Sequence, residues 1–212
     1  MISIENSHNT YPNQPTRAFL EALEDVLGKN GLNALLRIAG LPGWIETYPA
    51  DNFERDVDLS EFSSLNAALE EIYGDRGGHG LARRASESAF DLSWKQYGPL
   101  GDLSTAEIDA FPEQERIKEG ARLFAETLSS ASDLECEVIS QDDILLFRVH
   151  NCPICWGRES SIPTCAGFIG LLEACIKWIS PGMDVEIIEI ECAAVGGEVC
   201  IFTFDAQPKI EA

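Results

Sequence analysis

The chain has 212 residues, 36 acidic against 15 basic side chains, and a formal net charge of −21. A surface so acidic repels nucleic-acid phosphates and anionic membranes, so neither is an expected partner. A 45% hydrophobic content supports a real core and excludes a disordered chain.

In chain order, MISIENSHNTYPNQP lacks the basic start and apolar stretch of a signal peptide. Residues 1–15 read as a flexible leader ending at Pro15, and one domain is expected over 16–212, with a cysteine-rich core at 132–205. A cytoplasmic setting is expected, where seven cysteines point to metal or free thiols before disulfides. Phe19, Leu20, Leu23, Val26 and Leu27 share a helical face that is interrupted at Gly28, and Leu32, Leu35, Leu36 and Ala39 resume it. SEFSSLNAALEEIYG predicts another helix, with Leu65, Leu69 and Ile72 inward. Gly77, Gly78 and Gly80 precede a further helix, but their spacing matches neither GxGxxG nor a GK[ST] loop, so they read as an entry to a packed helix. His79 has no triad partner by motif. EQERIKEGARLFAETLSSA predicts an amphipathic helix with Ile117, Ala121, Phe124 and Leu128 buried.

After residue 132 the period changes. LECEVISQDDILLFRVH predicts a hairpin turning at Gln141–Asp142–Asp143. AGFIGLLEACIKWI predicts a helix capped by Thr164, too short and too charged, at Glu173 and Lys177, to span a membrane. VEIIEIECAAVGGEVCIFTFD predicts two strands around Gly196-Gly197. Helices followed by strand-strand-helix-strand-strand point to an α+β fold, an antiparallel sheet packed against a helical layer.

Five cysteines fall at the ends of these elements: Cys152 and Cys155 in a CPIC loop, Cys165 at a helix start, and Cys192 and Cys200 flanking a glycine turn. Thiolates so placed can share a soft ion. The expected ligand set is Cys155, Cys165, Cys192 and Cys200 holding Zn2+, with Cys152 as the alternative to Cys155 and His150 as a further one. A closed four-sulfur sphere favours a structural ion over a catalytic one. Reduced buried thiols, an iron-sulfur cluster and a redox CxxC are the competing readings. Cys136 and Cys175 fall in strand and helix patterns and read as core.

NCPICWGRESSIPTCAGFIGLLEACIKWI with VEIIEIECAAVGGEVCIFTF, together with the earlier YGDRGGHGLARRASESAF, resembles the vinyl-4-reductase domain family. That family is similar in fold to TRAPP-type subunits and to the aromatic-sensing domains of bacterial activators. The resemblance implies zinc held by Cys165, Cys192 and Cys200, a small hydrophobic ligand chamber beside it, and a homodimer. Several amphipathic helices, more than one sheet face covers, agree with a homodimer. Phe90, Trp94, Phe124, Trp156, Phe168 and Trp178 are the candidate ligand-facing aromatics.

No nicotinamide or flavin motif is visible, and no catalytic residue is assigned. The expected function is a zinc-containing binding module for a hydrophobic or aromatic molecule, such as a tetrapyrrole intermediate, rather than an enzyme by itself. The alternatives are an enzyme or accessory factor of chlorophyll-type pigment biosynthesis and a noncatalytic assembly module.

Overall fold

The computed structural model describes residues 2–103, 110–141 and 144–207. Two long helices make the first layer. Helix α1 (Asn13–Ile38) breaks at Gly28, where φ 68 and ψ 162 leave the helical region. Helix α2 (Leu59–Leu92) breaks the same way at Gly74. A Cβ at Gly78 would lie 2.7 Å from the Glu70 amide nitrogen. Residues eight apart stand about 12 Å apart along a straight helix, so the chain reverses at Gly74 and the second half of α2 lies back on the first. The Gly77–Gly80 stretch thus serves close helix packing. Asp58 opens α2 with a capping box: its carboxylate accepts from the Ser60 amide, and Glu61 reaches back to the Asp58 amide.

A short helix α3 (Gly98–Gly101) leads to α4 (Glu113–Ala131), which buries Ile117, Ala121, Phe124 and Leu128 as its period predicts. Strands β3 (Glu135–Gln141), β4 (Ile144–His150), β5 (Asp184–Glu191) and β6 (Cys200–Gln207) form an antiparallel sheet in the order β3-β4-β6-β5. The fold is α+β, as expected. The turn expected at Gln141–Asp142–Asp143 includes Asp142 and Asp143, which lie outside the described residues; Gln141 pairs with Ile144 on either side of them.

Helix α5 (Ala166–Ile179) lies between the sheet and α2. Phe168 stacks on Phe202 of β6 at 5.1 Å, and a Cβ at Gly170 would fall 2.2 Å from the Arg83 carbonyl oxygen of α2. Only glycine lets the two helices approach so closely. A chain of rings runs through the core: Phe90 to Phe124, Phe124 to Phe147, Phe147 to Phe168, and Phe168 to Phe202, with centroids 5.1–6.3 Å apart.

The segment read as a leader is tied to the body. The Ile2 amide donates to the Ile38 carbonyl at 2.7 Å, strand β1 (Thr10–Tyr11) pairs with β2 (Val57–Asp58), and Tyr11 is buried. Among the described residues no helix is long and apolar enough to cross a membrane.

Candidate functional site

Five cysteine sulfurs meet where the 151–165 loop, the start of α5 and the β5–β6 connection converge. Cys165 occupies the N-cap position of α5, one residue after the expected cap Thr164. Its sulfur lies 3.6 Å from Cys152, 3.8 Å from Cys192 and 3.7 Å from Cys200. Cys155 lies 3.4 Å from Cys200. All five are buried.

Two donor groups emerge, each with its atoms within 4.8 Å of one another: Cys152, Cys155, Cys165 and Cys200, and Cys165, Glu189, Cys192 and Cys200. The four cysteines expected as ligands are therefore together, and Cys152 stands with them rather than in place of Cys155. His150, at the end of β4 opposite Glu135, is in neither group. Cys136 and Cys175 stand outside both, and burial pushes their thiols up.

Sequence reasoning missed Glu189. It pairs with Phe202 in the β5–β6 register, beside a bulge between Glu189 and Glu191, and so faces the core. Its Oε2 accepts from the Cys165 amide at 2.9 Å, while its Oε1 is buried with no hydrogen-bond partner. Burial first, and then Cys192, raise its carboxyl to about 8. The alternation of β5 could have flagged a carboxylate between apolar neighbours. Ile188 and Ile190 on the other face hid the phase.

The thiols share protons unequally. Hydrogen bonds from Cys152 first, then Cys165, Cys192 and Cys200, pull Cys155 well below the usual thiol range. Burial pushes Cys152 up to about 11 and holds Cys165 well above normal. Cys152 and Cys155 drive Cys200 upward. Cys155 pushes Cys192 up, but hydrogen bonds from Cys165 and Cys200 outweigh it and bring Cys192 down to about 5, so the cluster favours negative sulfur at Cys155 and Cys192 over the other three.

The loop around the cluster is anchored from both sides. Ser63 Oγ donates to the Trp156 carbonyl at 2.8 Å, and the Ser160 amide donates to the Ala194 carbonyl at 2.8 Å. Arg158 pairs with Glu70, both largely buried, and Glu70 also meets His79 at 3.1 Å. Burial alone would raise the Glu70 carboxyl; His79 and Arg158 hold it below the usual carboxylate range. His79 is thereby a partner in this brace.

Of the six candidate ligand-facing aromatics, Phe90, Trp94, Phe124 and Phe168 are fully buried in the ring chain or against it. Trp156 is partly buried in the cysteine loop. Trp178 is also partly buried; it touches Phe90 at 6.2 Å and lines a half-open groove of about 630 Å³ between α2, α5 and the start of β5.

No protein-family model matches the chain, and no curated protein matches it. Solved structures do. One, described in work on the mechanism of H-NOX (heme nitric oxide/oxygen binding) activation, is 15% identical, covers 95% of this chain and 100% of its own, and has a TM-score of 0.53. An H-NOX protein from S. oneidensis in the Fe(II)NO ligation state is 12% identical over 91% of this chain and 99% of its own, at a TM-score of 0.52. A third, from work on heme distortion in the H-NOX family, is 13% identical over 95% and 98%, at 0.53. The chain has the H-NOX fold.

This corrects two sequence expectations. The resemblance to vinyl-4-reductase and TRAPP-type domains gives way to the H-NOX fold, since the matching structures are H-NOX domains. Helix followed by sheet with cysteines at the turns did not separate these folds, because pattern alone carries no chain path. The zinc assignment also falls: the H-NOX structures are described with heme, and buried thiols within 4.8 Å of one another are equally a donor set for other soft ions or a cluster of reduced thiols. Sulfur geometry does not select zinc.

Proposed function

We propose that the chain is a noncatalytic small-molecule-binding module of the sensory kind, and that its ligand docks in the groove beside Trp178. The groove carries this reading. At about 630 Å³ it falls in the range of small-molecule sites, roughly 300–1,000 Å³. Ile176, Trp178, Met183 and Val185 supply apolar surface, while Arg83, Lys95 and Lys177 line it together with the carboxylates Glu87, Asp91 and Glu173. Lys95 Nζ sits 5.6 Å over the Trp178 ring. Arg83 is held by Glu173 through two hydrogen bonds and Lys95 Nζ lies 3.7 Å from Asp91, so Lys177, next to Trp178 in sequence, is the cation assigned to the ligand. An aromatic carboxylate would pack its ring on Trp178 and pair its charge with Lys177. The H-NOX likeness supports a sensory role at the level of fold.

The residues present do not fit a histidine-ligated heme. A heme needs an axial donor facing a planar apolar space. His8 is exposed, His79 is bonded to Glu70, and His150 lies at a strand end; none is among the buried residues. The space between helices and sheet is filled by contacting phenylalanine rings.

Calorimetric titration with 2-naphthoate tests the groove. Binding by the wild type and a loss of about tenfold in Trp178→Ala support it; a ring contact of about 1.4 kcal/mol corresponds to that loss. Absent binding, or equal affinity in Trp178→Ala, rejects it.

A further inference from the structure

The sulfur cluster has more donors than one ion can use. Five thiols and one carboxylate converge, yet a thiolate-bound divalent ion of tetrahedral habit takes four ligands. The two donor groups overlap in Cys165 and Cys200 and in nothing else. We propose that the cluster is a two-ion centre, in which the thiolates of Cys165 and Cys200 bridge two thiophilic divalent cations, the first completed by Cys152 and Cys155 and the second by Cys192 and Glu189.

The distances suit bridging. With metal–sulfur bonds of about 2.3 Å, two sulfurs on one tetrahedral ion stand roughly 3.8 Å apart. Cys165 and Cys200 are 3.7 Å apart, Cys152 and Cys165 3.6 Å, and Cys165 and Cys192 3.8 Å. Glu189 supplies an independent sign. A buried carboxylate oxygen without a partner is costly, and Glu189 Oε1 has none. The second ion would satisfy it. Around Cys200, the Ala193 amide donates to the sulfur at 3.5 Å, a contact that favours an anionic bridging thiolate.

Charge also balances. Loading releases the thiol protons and changes no oxidation state. Five thiolates and one carboxylate carry six negative charges, two dications return four, and the centre keeps two. One dication would leave four uncompensated in a buried volume, or force several thiols to stay protonated. The inference fixes the number of ions and their donor atoms, and it stands apart from the groove: 2-naphthoate binding can fail without touching it.

The test is a cobalt(II) titration of the full chain, reduced, stripped of metal by chelator and kept under argon. The expected result is thiolate-to-cobalt absorption that breaks at two equivalents, with the EPR signal per cobalt falling during the second equivalent as the bridging sulfurs couple the spins. Cys192→Ser and Glu189→Gln should each saturate at one equivalent. A wild-type break at one equivalent, no uptake, or two equivalents with additive EPR signals would overturn the proposal. Should either variant fail to fold, native mass spectrometry of the wild type with cadmium(II) decides it alone: two added ions support the centre, and one or none rejects it.

Discussion

Cys165 and Cys200 lie 3.7 Å apart, sulfur to sulfur, although 35 residues separate them in sequence. One caps a helix and the other begins a strand, so their meeting fixes α5 against β6. Phe168 and Phe202, each a short step further along the same two elements, stack at 5.1 Å and extend that junction into the core.

Accessibility of the thiols should follow this packing. Cys136 is half-buried, while the other six cysteines are buried. In native, metal-free protein a disulfide reagent should label every cysteine slowly, since six are buried and burial pushes the thiol of the seventh, Cys136, well above the usual thiol range. All seven should react in guanidinium. Rapid native labelling of Cys165 or Cys200 would contradict the closed cluster.

Arg158→Ala should destabilise the domain by about 3 kcal/mol, because it leaves Glu70 Oε2 without its cation in a largely buried site, with His79 on the other oxygen alone. Urea unfolding measures this. Glu70→Gln combined with Arg158→Ala should recover part of the loss, since the stranded charge is gone. A loss below about 0.5 kcal/mol would mean that solvent screens the pair.

Gly170→Ala should cost about 1–3 kcal/mol or more through overpacking, since the added Cβ meets the Arg83 carbonyl oxygen at 2.2 Å. Gly43→Ala is the control: a Cβ there meets nothing within 4 Å. Equal melting temperatures for the two variants would refute the close approach of α2 and α5.

Acid should loosen the N-terminal segment first. Burial would raise the Asp58 carboxyl, but hydrogen bonds from Ser60 and Ser7 hold it below its ordinary value. Hydrogen bonds from Thr10 lower Asp133. A carboxyl whose folded value is lowered stabilises the fold above its unfolded value near 4, and that contribution is lost as pH falls through the lower folded value. Amide exchange at residues 7–11 should therefore quicken below pH about 4 before the sheet responds. Asp58→Ala should cost about 1 kcal/mol at neutral pH, the usual loss of an N-cap, and should weaken the acid response of this segment. An unchanged acid response would assign it to other groups.

The sequence determined the local elements and most of the cluster's membership. Its 3.6-residue and two-residue periods marked α4, α5 and the four strands of the large sheet, because burial of one face imposes those periods directly. Cysteines at the ends of regular elements marked a sulfur-rich centre. Only the tertiary structure decided how those ends meet. CPIC offered one or both of Cys152 and Cys155 by spacing, and the loop held by Ser63 and Arg158 brings in both. Isoleucines on both faces of β5 left the side of Glu189 open, and pairing with Phe202 across the bulged ladder turned it inward. The glycines at 77–80 read as an entry to a helix, whereas reversal at Gly74 makes Gly78 a contact between two halves of one helix. The N-terminal residues looked free because they lack period, and they are held by the short β1–β2 pair and by hydrogen bonds to the Asp58 and Asp133 carboxylates, which leave no pattern in a sequence. Periodicity reports which face is buried; it carries no information on which distant segment does the burying.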